Sequence, residues 1–244
     1  MDGNHSAGSR LWNLYKMGGV TPAFASALGD PKAQQMAFIR SVMKQQRKIE
    51  LFDTPLHEIE FVVFDLETTG FFVNQGDEII SFGGVGVRGG QMIEEEQFHT
   101  LTNPNRLIPA HIEKLTGISN EMAVQAPSLI DSLRDFFQFV QRRVLIAHGT
   151  GHDKQFLNNA LWKTSRTTLT HRVLDTMMIA KWLEPTRTNF ELDELLLKYG
   201  VPITNRHHAL EDAIMTAKLW GKFIAIMQER QVITLGDLYA HLSR

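Results

Sequence analysis

Phe61-Val62-Val63-Phe64-Asp65-Leu66-Glu67-Thr68-Thr69-Gly70 reads as a strand that ends in two acids and a glycine turn. Four consecutive apolar, β-prone residues fit a strand covered on both faces. Side chains alternate along a strand, so Asp65 and Glu67 project from one face and Leu66 from the other. Two carboxylates fixed side by side repel each other, and a divalent cation between them relieves the repulsion. The same pair also reads as acids that merely solvate a strand end before Gly70. A phosphoaspartate enzyme of the D-x-D-x-T type does not fit, because Glu67 takes the second position and Thr68-Thr69 follow.

Outward from this strand the pattern mixes both element types. Residues 78–87 and 91–101 read as two further strands joined through Arg88-Gly89-Gly90, a hairpin turn. Helical spacing covers 109–115 and 128–140, then Val144-Leu145-Ile146-Ala147 gives a short buried strand. A helix through Phe156, Leu157, Ala160 and Leu161 comes next, and residues 171–175 read as a fifth strand running into a helix at 177–183. Helices follow at 190–199, 207–227 and 235–242. The expectation is a three-layer α/β domain with a mixed sheet of about five strands flanked by helices.

The first 57 residues have a different texture and are expected to form a helical extension. Asp30-Pro31 is a helix start, with Asp at the N-cap and Pro at the first helical position. Met36, Ile39, Val42 and Met43 then recur at helical spacing, and the helix is expected to run through Lys48 and to end by Asp53-Thr54-Pro55. An earlier apolar segment, Leu11-Trp12-Asn13-Leu14-Tyr15, breaks at Gly18-Gly19. Lys44, Arg47 and Lys48 read as a solvated helix face, with contact to nucleic acid as the alternative. The expected divisions are 1–57, 58–226 and a helical tail at 227–244.

Two more clusters carry acids. In His148-Gly149-Thr150-Gly151-His152-Asp153, Asp153 opens the helix after the 144–147 strand, where an acid also serves the helix dipole. A zinc site on His148 and His152 is disfavoured by the glycines between them and by the missing metalloprotease Glu. In Arg206-His207-His208-Ala209-Leu210-Glu211-Asp212-Ala213, Asp212 shares a helical face with Thr216 and Leu219. An acid on an inward face needs a partner, and a metal supplies one; a surface salt bridge is the plain alternative. Taken together, a strand end, a strand-to-helix turn and a late helix deliver four acids and a histidine.

Composition narrows the class. The chain has 244 residues, long enough to bury a core without staples. With 25 Lys and Arg against 27 Asp and Glu, the formal charge of -2 excludes a histone-like polycation but not a local nucleic-acid site. No cysteine is present, which excludes disulfides, thiolate zinc sites and Cys nucleophiles. The first residues lack the basic flank and apolar core of a signal peptide, and no apolar run reaches about 18 residues. A cytoplasmic protein with no membrane contact is the expectation.

These motifs resemble the DnaQ-like exonucleases in their histidine-bearing (DEDDh) branch, which includes the proofreading epsilon subunits and exonuclease domains of bacterial DNA polymerase III, RNase T and oligoribonuclease. Asp65-Leu66-Glu67-Thr68-Thr69-Gly70 is a full match to the first motif, and His207 to Ala213 fits the H-x-A-x-x-D-A spacing of the third. Asn103-Pro104, Ile108-Pro109, Leu115 to Ser119, Val173 to Thr176, Leu192 to Leu196 and Gly200-Val201-Pro202 are also family-like. The likeness covers about residues 58–226. The second motif departs from the family's A-H-N-x-x-F-D: Gly149 stands for Asn and His152 for Phe, which removes a side-chain hydrogen bond and apolar packing.

The resemblance implies an RNase H-like fold and a 3′–5′ exonuclease that releases nucleoside 5′-monophosphates from DNA in proofreading or repair. It also implies two divalent cations, Mg²⁺ or Mn²⁺, held by Asp65, Glu67, Asp153 and Asp212. Asp65 would bridge them, with Glu67 and Asp212 on the nucleophile side and Asp153 on the leaving-group side. His207 would be the general base, a role suited to imidazole near neutral pH. Leu66, Thr68, Thr69 and His148 would bind substrate, a single-stranded or frayed DNA 3′ end, and a DNA polymerase subunit would be a partner. Phe71 and Phe72 read as core residues, with base stacking as the alternative. The alternatives in function are an RNA 3′-exonuclease and a non-catalytic nucleic-acid-binding accessory module, the latter motivated by the altered second motif.

Overall fold

The computed structural model describes residues 30–46 and 51–243. The segment at Leu11–Tyr15, its break at Gly18-Gly19, and Arg47 and Lys48 lie outside the described residues. β1 (Glu60–Thr68) is the middle of a five-stranded sheet of order β3-β2-β1-β4-β5. On one side β2 (Ile79–Arg88) and β3 (Gln91–Leu101) are antiparallel neighbours, as the hairpin at 88–90 predicts. On the other side β4 (Val144–Ala147) and β5 (Val173–Asp175) run parallel to β1. The mixed five-stranded sheet is therefore as expected.

The alternation of β1 separates two cores. Val62, Phe64 and Leu66 face a layer formed by α1 (Pro31–Gln46), α4 (Leu129–Val140) and α5 (Gly151–Ser165). Phe61 and Val63 face the opposite layer, formed by α6 (Thr176–Leu183), α7 (Leu192–Lys198), α8 (Ala209–Glu229) and α9 (Leu235–Leu242). Two short helices, α2 (Ala110–Thr116) and α3 (Asn120–Gln125), bury Ile112 and Ala123 with Ile80. Residues 120–125 carry no clear apolar period and were not legible as a helix; the Ser119 N-cap, which accepts from Met122 N–H, and the packing of Ala123 make it one.

The described parts of both flanking segments pack on this body. Ile39, Val42 and Met43 of α1 are buried against the α4–α5 layer, Arg40 donates to the Ser165 carbonyl at the end of α5, and the Thr170 hydroxyl donates to the Met43 carbonyl. In the tail, Leu235 and Leu238 are fully buried, and Leu56 N–H donates to the Ile233 carbonyl. Thr234 and Asp237 close α9 with a capping box. Among the described residues no helix is long and apolar enough to cross a membrane.

α8 lies directly on β1 and β2 because small residues let it. A Cβ on Gly83 would lie 2.1 Å from the Ala209 carbonyl carbon, and one on Gly221 would lie 2.6 Å from the Gly90 carbonyl oxygen. Between these close approaches Trp220 packs edge-on to Phe61 and donates its indole N–H to the Gly89 carbonyl. Helix and sheet are thus pinned along their length, with the start of α8 opposite the end of β1.

Candidate active site

Asp65 and Glu67 share the face of Phe61 and Val63, which is the face that α8 covers. Asp65 pairs across the ladder with Gly83, the residue against which α8 begins, so Asp212 in the first turn of α8 comes down beside both strand acids. The β1–β2 register shifts between Glu67 and Thr68, an irregularity that re-aims the strand end at the cleft. Beyond it the chain turns sharply around Asp77, whose carboxylate accepts from the Thr69 hydroxyl, Phe72 N–H and Arg106. A side chain on Gly70 would put its Cβ 2.4 Å from an Asp77 oxygen, so only glycine fits this turn.

The second segment leaves β4 as Ala147-His148-Gly149-Thr150 and enters α5. Asp175, at the end of β5, organises it by accepting from Gly149 N–H, Thr150 N–H, the Thr150 hydroxyl and Met177 N–H. Gly149 is in the left-handed region at φ +69°. Asn tolerates that conformation better than other side chains, which gives a backbone reason why Gly149 stands where Asn is usual. Asp153 then falls in the first turn of α5, 5% exposed.

The third segment is strained at the decisive residue. His207 has φ +60°, sparsely populated for a residue with a side chain, and its N–H donates to Asp212 Oδ2 at 3.0 Å. His208 caps α8 by accepting from Glu211 N–H and stacks on His99 at 4.6 Å between ring centres. The sequence places His207 near the helix start; the strained turn and the cap are what aim it.

The result is a cleft of about 340 Å³ lined by Asp65, Leu66, Glu67, Thr68, His207 and Asp212, with His148 and the apolar Ile112, Leu115 and Met177 on its walls. Ligand atoms of Glu67, His207 and Asp212 all lie within 4.8 Å of one another. Asp153 is buried and does not line the cleft, yet its charge is the largest acting on Asp65. Burial, then the negative charges of Asp153, Glu67 and Asp212, holds the Asp65 carboxyl well above the usual range, with Arg206 opposing. Burial and Asp212 push Glu67 up to about 8. Burial raises Asp153 to about 7 against the pull of backbone N–H donors, its own and that of Leu66. Asp212 is raised by burial as well, again with Arg206 opposing.

Ionised together, these four acids would outweigh the single opposing charge of Arg206, and without a cation they are held towards their neutral forms. Hard divalent cations, which take carboxylate oxygens, fit this donor set. Asp212 Oδ1 is buried and its partner is the Arg206 guanidinium, with which it forms an ion pair.

Other residues depart from expectation. Thr69 is 1% exposed, its hydroxyl donates to Asp77 and accepts from Glu78 N–H, and it does not reach the cleft. Its hydroxyl is thus engaged inside the turn. Phe71 and Phe72 are not core residues but stand 69% and 60% exposed at the rim, with the Phe71 ring 5.7 Å from that of His152. The ring nitrogens of His148 are engaged by the Thr176 hydroxyl and the Phe190 carbonyl, leaving its carbon edge for the cleft. His152 restores some of the packing lost with Phe, lying 4.5 Å from the Phe156 ring and 3.3 Å from the Thr68 hydroxyl. Sequence reading missed Arg206, Asp193 and Asp175. Arg206 and Asp175 lie within the stretches that carried the third motif and the 173–176 likeness, which was the available signal.

A family model for exonucleases of the RNase T kind matches residues 62–220, the span that holds all three acidic segments. The chain belongs to this exonuclease family. Among exonuclease relatives, a DNA polymerase III subunit epsilon-like protein of Rhodobacter capsulatus is 33% identical over 80% of the chain, and a 3′-5′ exonuclease DinG of Staphylococcus epidermidis is 35% identical over 73%. The matched regions are only 28% and 20% of those relatives, so the chain spans under a third of either. The nuclease domain of 3′hExo, a DEDDh family member solved with rAMP, superposes with a TM-score of 0.59 at 19% identity, covering 71% of this chain and 94% of that one. That likeness carries the exonuclease fold, the RNase H-like arrangement implied by the motifs.

Proposed function

We propose that the protein is a divalent-metal-dependent 3′–5′ exonuclease that removes nucleoside 5′-monophosphates from single-stranded or frayed DNA ends. The observation that carries this reading is the convergence of Asp65, Glu67, Asp212 and His207 on one cleft, with the charge of the buried Asp153 acting on Asp65. Asp65, Glu67, Asp153 and Asp212 would hold two cations, Mg²⁺ or Mn²⁺. The cations would stabilise charge on the attacking and leaving oxygens of the phosphodiester.

The chain's own residues supply the rest. His207, fixed by its strained backbone and its N–H bond to Asp212, is the base that takes a proton from the attacking water. Leu66 and Thr68 form the floor for the terminal nucleotide, and the carbon edge of His148 closes the wall. The DNA preference rests on the likeness to relatives of DNA polymerase III, and a polymerase subunit is the partner that likeness favours.

The test uses 5′-labelled DNA and RNA strands of matched sequence with Mg²⁺, Mn²⁺ or EDTA, and Asp212→Ala beside the wild type. Shortening from the 3′ end that needs metal and is lost in the variant is the expected result, with DNA degraded faster than RNA. Faster loss of RNA would turn the assignment to a ribonuclease. Binding of both strands without shortening would make the protein an accessory module.

A further inference from the structure

Among the described residues, Arg206 is the guanidinium whose charge opposes the raised carboxyls of Asp65, Glu67 and Asp212, and it holds two acids at once. Nε donates a hydrogen bond to Asp193 on α7, whose side chain is half exposed. Nη1 forms an ion pair with Asp212 Oδ1, an oxygen in a side chain only 5% exposed and with no other partner. The other Asp212 oxygen already accepts from His207 N–H. Asp212 therefore has no lone oxygen in this state: one is taken by the backbone, and the other is covered by a positive charge that is anchored elsewhere.

We propose that Arg206 is a built-in placeholder cation, which neutralises Asp212 in the metal-free enzyme and must withdraw along its Asp193 anchor before a divalent cation can bind there. The inference rests on the metal-dependent reading above and goes beyond it by assigning this residue control of metal affinity. Three observations carry it. A carboxylate oxygen can accept two partners, but two cations on one oxygen repel each other. The Asp212 oxygen that Arg206 covers is buried and meets no other partner, so withdrawal of the guanidinium frees it for a metal. The contact with Asp193 lies towards solvent, so the side chain keeps a partner after it moves. Arg206 also lines the cleft, so the withdrawn guanidinium stays at the edge along which a phosphate backbone would run.

The experiment is calorimetric titration of the metal-stripped full chain with Mn²⁺ alone, together with melting curves in EDTA and in Mn²⁺. Arg206→Gln removes the charge and is expected to bind Mn²⁺ about tenfold more tightly. It should melt below the wild type in EDTA and recover most of that loss in Mn²⁺. Arg206→Lys keeps a positive charge and should remain near wild-type affinity. A purely structural role would lower melting equally in both conditions and leave Mn²⁺ affinity unchanged, and that result overturns the proposal. Weaker Mn²⁺ binding by Arg206→Gln overturns it too, because Arg206 would then assist the metal. If the wild type takes up no Mn²⁺, the metal-dependent reading itself fails, and the proposal falls with it.

Discussion

Gly83 and Ala209 touch backbone to backbone: a single methyl added at Gly83 would come within 2.1 Å of the Ala209 carbonyl carbon. Gly83 is also the ladder partner of Asp65. The contact that seats α8 on the sheet is therefore the contact that brings Asp212 and His207 to the strand acids. It explains why position 83 is a glycine: the atoms it would strike are backbone atoms of the helix start.

Gly83→Ala is expected to cost about 1–3 kcal/mol in urea unfolding, the range for overpacking a close contact. It should also lower nuclease activity by about a hundredfold, since the helix start must shift relative to Asp65. Gly151→Ala is the control: nothing lies within 4 Å of the added Cβ and the backbone is ordinary there. Equal behaviour of the two variants would show that the close approach does not set the site.

Asp175 holds four donors of the turn that carries His148 and leads to Asp153. Asp175→Ala leaves them unpaired and is expected to destabilise the fold by about 1–3 kcal/mol, with a larger proportional loss of kcat than the milder Asp175→Asn. Wild-type kcat in Asp175→Ala would mean that the turn holds its shape without this carboxylate.

The raised acids fix a pH dependence with a definite sign. Glu67 titrates at about 8 in the folded, metal-free protein, against about 4.5 for an ordinary Glu. The folded state thus holds a proton that the unfolded state releases, and this stabilising contribution, complete below pH 4.5, is lost as pH rises through about 8. In EDTA the protein should lose about 1 kcal/mol between pH 7 and pH 9. Glu67→Gln should flatten that slope, and Mn²⁺ should oppose it, because metal binding needs the ionised acid. Chemical denaturation at the two pH values reads the effect; an unchanged slope in Glu67→Gln would remove Glu67 as its source.

His171 gives the opposite slope in a lower window. Its Nε2 bonds the Gln141 carbonyl, Nδ1 is buried without a partner, and the ring stacks on Phe137. Burial lowers its pKa to about 4. The unfolded chain takes a proton below about pH 6.5 while the folded one refuses it until about 4, so stability falls on acidification through this range. About 2 kcal/mol should be lost between pH 7.5 and pH 5 on account of this residue. His171→Gln, which cannot titrate, should shrink the difference by that amount when unfolding is followed in urea at both values.

Local patterning along the chain was enough to define the sheet and to identify the acids. Strand alternation placed Asp65 and Glu67 on one face without any knowledge of neighbours, because the period of two is a property of the backbone alone. The uninterrupted apolar run at 61–64 marked the buried central strand, and helical spacing put Asp212 on the inward face of its helix. Phe71 and Phe72 were misread because their surroundings are set by Asp77, eight residues or fewer away in sequence but reached only through a turn closed by side-chain bonds.

What only the tertiary structure decided is which groups meet across elements. The β4–α5 turn is held from β5 by Asp175, and Arg206 is shared between α7 and α8. His207 takes a left-handed backbone because the Asp212 carboxylate captures its N–H. None of these has a periodic signature. Periodicity reports how a segment relates to its own covered face, whereas the charge balance of the cleft depends on distances between segments that are far apart in the chain, and only packing fixes those.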